Sequence, residues 1–123
     1  TLCFTKKATA ANMKCKYALL KLNCHYQNKE IFEDDSSIEH IIPESEGQDV
    51  NNIGNLIILE GNLNVEAANK KYLDKISVYK KSNYVWVKDF TCKHSTWMNE
   101  MIKDRAKEMA ALYYNIFIKE YLI

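Results

Sequence analysis

The stretch Ile38-Glu39-His40-Ile41-Ile42-Pro43, continued by Gly54-Asn55-Leu56-Ile57-Ile58-Leu59 and then Asn62-Leu63-Asn64, decides how this chain is read. Ile38 to Ile42 is short and β-branched, and it ends at Pro43, which lacks the amide donor a central strand needs. Residues 43–54 hold Pro43, Gly47, Asp49, Asn51, Asn52 and Gly54, a loop of about ten residues. Leu56 to Leu59 forms a second strand, ended by Gly61. From about Leu63 the apolar period becomes helical, with Val65, Ala68, Tyr72, Ile76 and Tyr79 on one stripe and Asn62 or Asn64 as N-cap.

A strand–loop–strand–helix unit of this kind can gather chemistry from distant positions. His40 comes from the end of the first strand and Asn64 from the start of the helix. An imidazole titrates near neutral pH, which suits a general base. Carboxylate and carboxamide oxygens suit a hard cation such as Mg²⁺. Glu39 adjoins His40, but side chains alternate along a regular strand, so both face one site only if the backbone is irregular there. Asn55 enters the second strand from the loop, where its amide can pin the loop without touching metal.

Outward from this unit, Met13, Tyr17, Leu20 and Cys24 recur at helical spacing between Thr9 and His25, leaving Lys14, Lys16 and Lys21 as wet positions. Glu33-Asp34-Asp35-Ser36-Ser37 is a polar break. A last helix starts near Ser95 or Thr96, with Trp97, Met101, Arg105, Met109, Leu112, Ile116 and Tyr121 on its apolar side. Arg105 in that stripe reads as a buried ion-pair partner in preference to a phosphate contact. His25 and His94 have no comparable context and read as surface residues.

The length of 123 residues fits one domain, and 47% hydrophobic with 27% charged residues is the balance of a soluble globular chain. No apolar run is long enough to cross a bilayer, and no signal-peptide pattern opens the chain. Cys3, Cys15, Cys24 and Cys92 lack zinc-like spacing and read as reduced thiols of a cytoplasmic protein. The first residue is Thr1, so a longer parent protein is expected. Residues 1–60 carry a net −3 and residues 61–123 a net +4. Lys70, Lys71 and Lys75 lie in the basic part and are candidate phosphate contacts.

The pattern Ile-Glu-His-Ile-Ile-Pro, loop, Gly-Asn-Leu-Ile-Ile-Leu, Leu-Asn and Ala-Asn resembles the HNH (His-Me finger) nucleases. It is most similar to the C-terminal nuclease domain of GmrSD-type, modification-dependent type IV restriction enzymes. The Asn69–Lys75 and Tyr79–Ser82 segments and Trp97…Ile102…Arg105 extend the likeness, although only residues 38–69 are specific. The resemblance implies an α+β fold: a ββα-metal core over 36–80, an N-terminal helical flank over 1–35 and a C-terminal helical tail over 81–123. It implies His40 as general base, Asn64 and Glu39 as ligands of one Mg²⁺ or Mn²⁺ ion, and Asn55 as the asparagine that braces the loop. Asn64 stands where many members carry a final His, and Asn69 matches a recurrent asparagine.

The expected activity is therefore metal-dependent hydrolysis of DNA, including modified DNA, in restriction or phage defence, leaving a 5′-phosphate. The partner implied is a nucleotide-dependent sensor domain, in the same or another chain, and no phosphate-binding glycine loop occurs here to supply it. The competing readings are a non-catalytic nucleic-acid-binding module of the same fold and an RNA-directed toxin nuclease.

Overall fold

The computed structural model describes residues 9–28, 35–47 and 49–122. Along them run α1 (Thr9–Gln27), β1 (Ser36–His40), β2 (Leu56–Glu60), α2 (Gly61–Ala67), α3 (Tyr72–Tyr79), α4 (Val85–Lys93) and α5 (Ile102–Leu122). The architecture is mixed α and β, as expected. Short 3-10 turns at Ile53–Asn55 and Asn99–Met101 lead into β2 and α5. Among the described residues no helix is long and apolar enough to cross a membrane.

The two strands are antiparallel, with Ile38 opposite Ile58 and His40 opposite Leu56. Leu56, Ile57, Ile58 and Leu59 are all buried, so β2 is covered on both faces, with α1, α2 and α4 packing against it. This explains a continuous apolar run where a half-exposed strand would alternate. The first strand begins and ends two residues earlier than the sequence suggested. Ile41 still donates its N–H to the Asn55 carbonyl at 2.9 Å, but the chain turns away from the ladder at Ile42 and Pro43. The polar break falls partly outside the described residues, and its Ser36 and Ser37 already belong to β1.

Three helical expectations change. In α1 the period is right but the phase is not: Cys15, Ala18, Leu19 and Leu22 are buried, whereas Tyr17 is exposed. Small Ala18 lets this face lie close against its neighbours, which the bulkier Tyr17 stripe would not. The single helix expected from Leu63 to Tyr79 is two helices, broken where Ala68 takes a positive φ of 44°. Asn64 consequently sits inside α2 and caps nothing with its side chain; Glu60 holds the N-cap position. Helix α4, with Trp86, Val87 and Phe90 buried, was not anticipated, and Trp97 precedes α5 instead of starting it. Cys15 is a core residue, Cys24 and Cys92 are free thiols, and Cys3 lies outside the described residues.

Helix α5 closes on the turn before β2. A Cβ placed on Gly54 would lie 2.0 Å from the Ile102 carbonyl oxygen, so only glycine permits this approach. The Arg105 guanidinium reaches past it and donates from Nη1 to the carbonyls of Gly54 (2.9 Å) and Leu56 (2.8 Å). Its charge faces rings: Phe90, Trp86 and Trp97 have centroids 4.9, 5.3 and 6.0 Å from Cζ. Arg105 is thus buried as expected, but among the described residues carbonyls and aromatic faces take the place of an ion-pair carboxylate. Desolvation pushes its pKa down to about 10, which still leaves it protonated at neutral pH.

Between those two carbonyls lies Asn55, fully buried. Its Oδ1 accepts from the Ile42 N–H at 2.9 Å and from Trp97 Nε1 at 3.2 Å. Its Nδ2 donates to the carbonyls of Ile42 (3.0 Å) and Val50 (2.9 Å). Two lone pairs and two amide hydrogens are all used.

Two stability measurements check this reading. Gly54→Ala forces α5 away from the turn and costs about 1–3 kcal/mol in chemical denaturation, the range for overpacking. Asn55→Ala leaves buried backbone groups bare at about 1–3 kcal/mol each. The exposed Asn69→Ala stays within about 0.5 kcal/mol of wild type.

Candidate active site

Beside the end of β1 an open cleft of about 530 Å³ is walled by Ile38, Glu39 and His40 on one side and Asn64, Ala68 and Asn69 on another; Pro43, Glu44 and Ser45 complete it. Ile38 and His40 share a face of β1 through strand alternation. Asn64 comes from α2, and Ala68 and Asn69 from the turn after it. The break at Ala68 keeps the chain beside the cleft where a continuous helix would have carried it past.

His40 is half-buried, with Nε2 3.0 Å from Asn51 Oδ1 and 3.5 Å from the exposed carboxylate of Glu44. Oδ1 accepts when the ring proton is on Nε2, the tautomer that leaves a lone pair on Nδ1. A side-chain partner of this kind holds the ring in one orientation.

Asn64 donates both of its hydrogen bonds from Nδ2, to Ser37 Oγ and to the Ile38 carbonyl, each at 2.8 Å. Those bonds orient the carboxamide and leave Oδ1 uncommitted among the described residues. Glu39 follows the same logic from the other side of the strand. Its carboxylate is buried; Oε2 accepts from Lys75 Nζ at 2.8 Å and from the Tyr79 hydroxyl at 2.7 Å, which leaves Oε1 uncommitted among the described residues. Burial first, and then the negative charge of Glu39, push the Tyr79 pKa well above its ordinary value, so the phenol stays a donor. The side chain of Glu39 turns toward α3, yet the residue still lines the cleft.

The fit to a divalent cation rests on this donor set. Two oriented oxygens, Glu39 Oε1 and Asn64 Oδ1, belong to residues lining one cleft, and Mg²⁺ needs only one or two protein oxygens because it keeps several waters. Among the described residues no three His, Cys, Asp or Glu side chains converge as a zinc site would require.

The other candidates separate clearly. Asn55 lies under the cleft with every polar valence satisfied, a brace with no atom left for a ligand. Lys70 and Lys71 are exposed next to Asn69, at the cleft's edge. Lys75, grouped with them as a phosphate contact, is instead fully buried: besides Glu39 it bonds the His40 carbonyl at 2.5 Å. A signal for this was present, since Lys75 stands three residues after Tyr72 and four before Tyr79, on the inward side of α3. His94 is only half-exposed, and desolvation lowers its pKa as it packs against Phe90 and Trp97. Asn51 escaped notice because nothing in a loop rich in Asn and Asp marks one carboxamide above its neighbours.

The chain matches the family described as the C-terminal domain of GmrSD restriction endonucleases over residues 2–112. No curated protein and no solved structure gives a significant match. The match takes in every residue of the cleft together with Asn55 and Arg105 beneath it, and the chain belongs to the GmrSD C-terminal domain family of restriction endonucleases.

Proposed function

We propose that this chain is a metal-dependent DNA endonuclease domain in which β1, β2 and α2 serve as a ββα-metal core. The observation that carries the reading is the meeting, in one cleft, of an imidazole oriented by Asn51 with Glu39 and Asn64, each holding one oxygen uncommitted among the described residues. A binding-only module has no use for that combination.

In this reading His40 takes a proton from the attacking water through Nδ1, while Asn51 accepts the Nε2–H and stabilises the imidazolium that forms. Glu39 Oε1 and Asn64 Oδ1 would hold one Mg²⁺ or Mn²⁺ ion, which supplies a positive charge for the scissile phosphate and its leaving oxygen. The Glu44 carboxylate lies 3.5 Å from Nε2, on the same side of the ring as Asn51. Lys70 and Lys71 neutralise flanking phosphates, a sequence-independent contribution that weakens as salt rises. Asn69 faces the same cleft and is available to the substrate backbone. Choice among DNA sequences or modifications is assigned to a sensor domain outside these residues.

The test is cleavage of plasmid and oligonucleotide DNA with Mg²⁺ or Mn²⁺, with RNA offered in parallel. Cleavage should stop on chelation and fall about 10²–10⁴-fold in His40→Ala, the usual worth of a general base. Wild-type rates in a folded His40→Ala protein would remove His40 from the chemistry. Asn64→Leu should raise the metal concentration for half-maximal rate by at least the ~10-fold typical of losing even an outer-sphere partner; an unchanged titration would exclude Asn64 as a ligand.

A further inference from the structure

A lysine with no solvent exposure is costly unless its charge and its donors are matched. Lys75 has two partners of unlike kind: the Oε2 of Glu39 and the backbone carbonyl of His40. The ammonium therefore touches both residues whose placement the cleft depends on, through the side chain of one and the main chain of the other. The Tyr79 hydroxyl lies one helical turn further along α3 and bonds the same carboxylate oxygen.

We infer that Lys75 and Tyr79 are positioning residues that hold the Glu39 carboxylate by Oε2 and so reserve Oε1 for the ion, and that Lys75 ties this orientation to the backbone of His40. The inference rests on the proposed divalent-ion site and extends it to groups that touch neither ion nor DNA. Two donors on one oxygen fix the carboxylate against rotation about its terminal bond. The lysine sets a positive charge against the buried carboxylate, and the phenol adds direction without charge. Because Lys75 spans side chain and carbonyl, a change that releases Glu39 also loosens the strand end that carries the imidazole.

This assigns Lys75 a role opposite to that of Lys70 and Lys71, although all three lie within six residues. The exposed pair should govern attraction for DNA; the buried one should govern affinity for metal. The distinction is measurable without turnover. Mn²⁺ binding to the full chain is followed by electron paramagnetic resonance, and DNA binding without divalent ions by fluorescence anisotropy. The proteins compared are wild type, Tyr79→Phe, Lys75→Met and a Lys70→Ala/Lys71→Ala double variant.

Tyr79→Phe removes one oxygen and keeps the ring, so it keeps the inference testable should Lys75→Met fail to fold. Expected is Mn²⁺ affinity about 10-fold weaker in Tyr79→Phe and up to about 100-fold weaker in Lys75→Met, the span for outer-sphere partners. Metal-free DNA affinity should be unchanged in both. The double variant should reverse the pattern, with DNA affinity reduced, a shallower salt dependence and wild-type Mn²⁺ binding. Wild-type Mn²⁺ affinity in a folded Tyr79→Phe protein would overturn the inference while leaving the metal site standing, as would a Lys75→Met protein that loses DNA affinity and keeps its metal. No Mn²⁺ binding by wild type would instead overturn the proposed site, and this inference with it.

Discussion

The connection between the two strands is long for an antiparallel pair, and among the described residues the backbone hydrogen bonds within it close only local turns, Glu46 to Pro43, Asn52 to Asp49 and Asn55 to Asn52. A carboxamide holds it in one shape. Asn55 sits in a dry position where each unmade hydrogen bond is expensive, and it makes four, to Ile42 twice, to Val50 and to Trp97. The first two draw the residues after His40 back toward the sheet, and the third fixes the returning end of the loop. Arg105 clamps the carbonyls on either side of Asn55, so the asparagine cannot shift along the chain. The position of His40 at the lip of the cleft is a consequence of this closure. So is the reach of Asn51, carried by the same loop, to the imidazole.

Some of this was legible in the residues. Short β-branched runs on either side of a Gly, Asn and Asp segment gave the strand pair, and the placement of Asn55 at the loop's re-entry suggested a brace. The spacing from His40 to Asn64 suggested that both would meet. Other features were not legible, for physical reasons. Helix α1 offers two plausible stripes, and what selects Ala18 and Leu22 over Tyr17 is the shape of the elements it packs on. The break at Ala68 has no glycine or proline to announce it. Alanine at φ 44° is unfavourable in isolation and persists because the surrounding contacts on α2 and α3 require the turn.

Lysine chemistry shows the same divide between composition and placement. Charge density along 70–81 points to an exposed basic face, yet one member of the run is among the most buried side chains in the protein. Helical phase decides the matter: Lys75 lies on the side of α3 that also buries Tyr72 and Tyr79. A long aliphatic stem makes lysine tolerable in such a position, and a carboxylate and a carbonyl at its tip make it stable there.

The dependence of the loop on Trp97 and Arg105 also bears on how the protein is made. Residues 36–64 leave the ribosome well before the tryptophan and the arginine that lock them. Until α5 has emerged and its first turns have closed over Gly54, the carboxamide of Asn55 lacks one of its partners and the flanking carbonyls lack theirs. The cleft is thus completed only once α5, which follows it in the chain, has docked. In a member of a restriction endonuclease family, this order leaves the cleft unformed in the nascent polypeptide until that helix has closed over it.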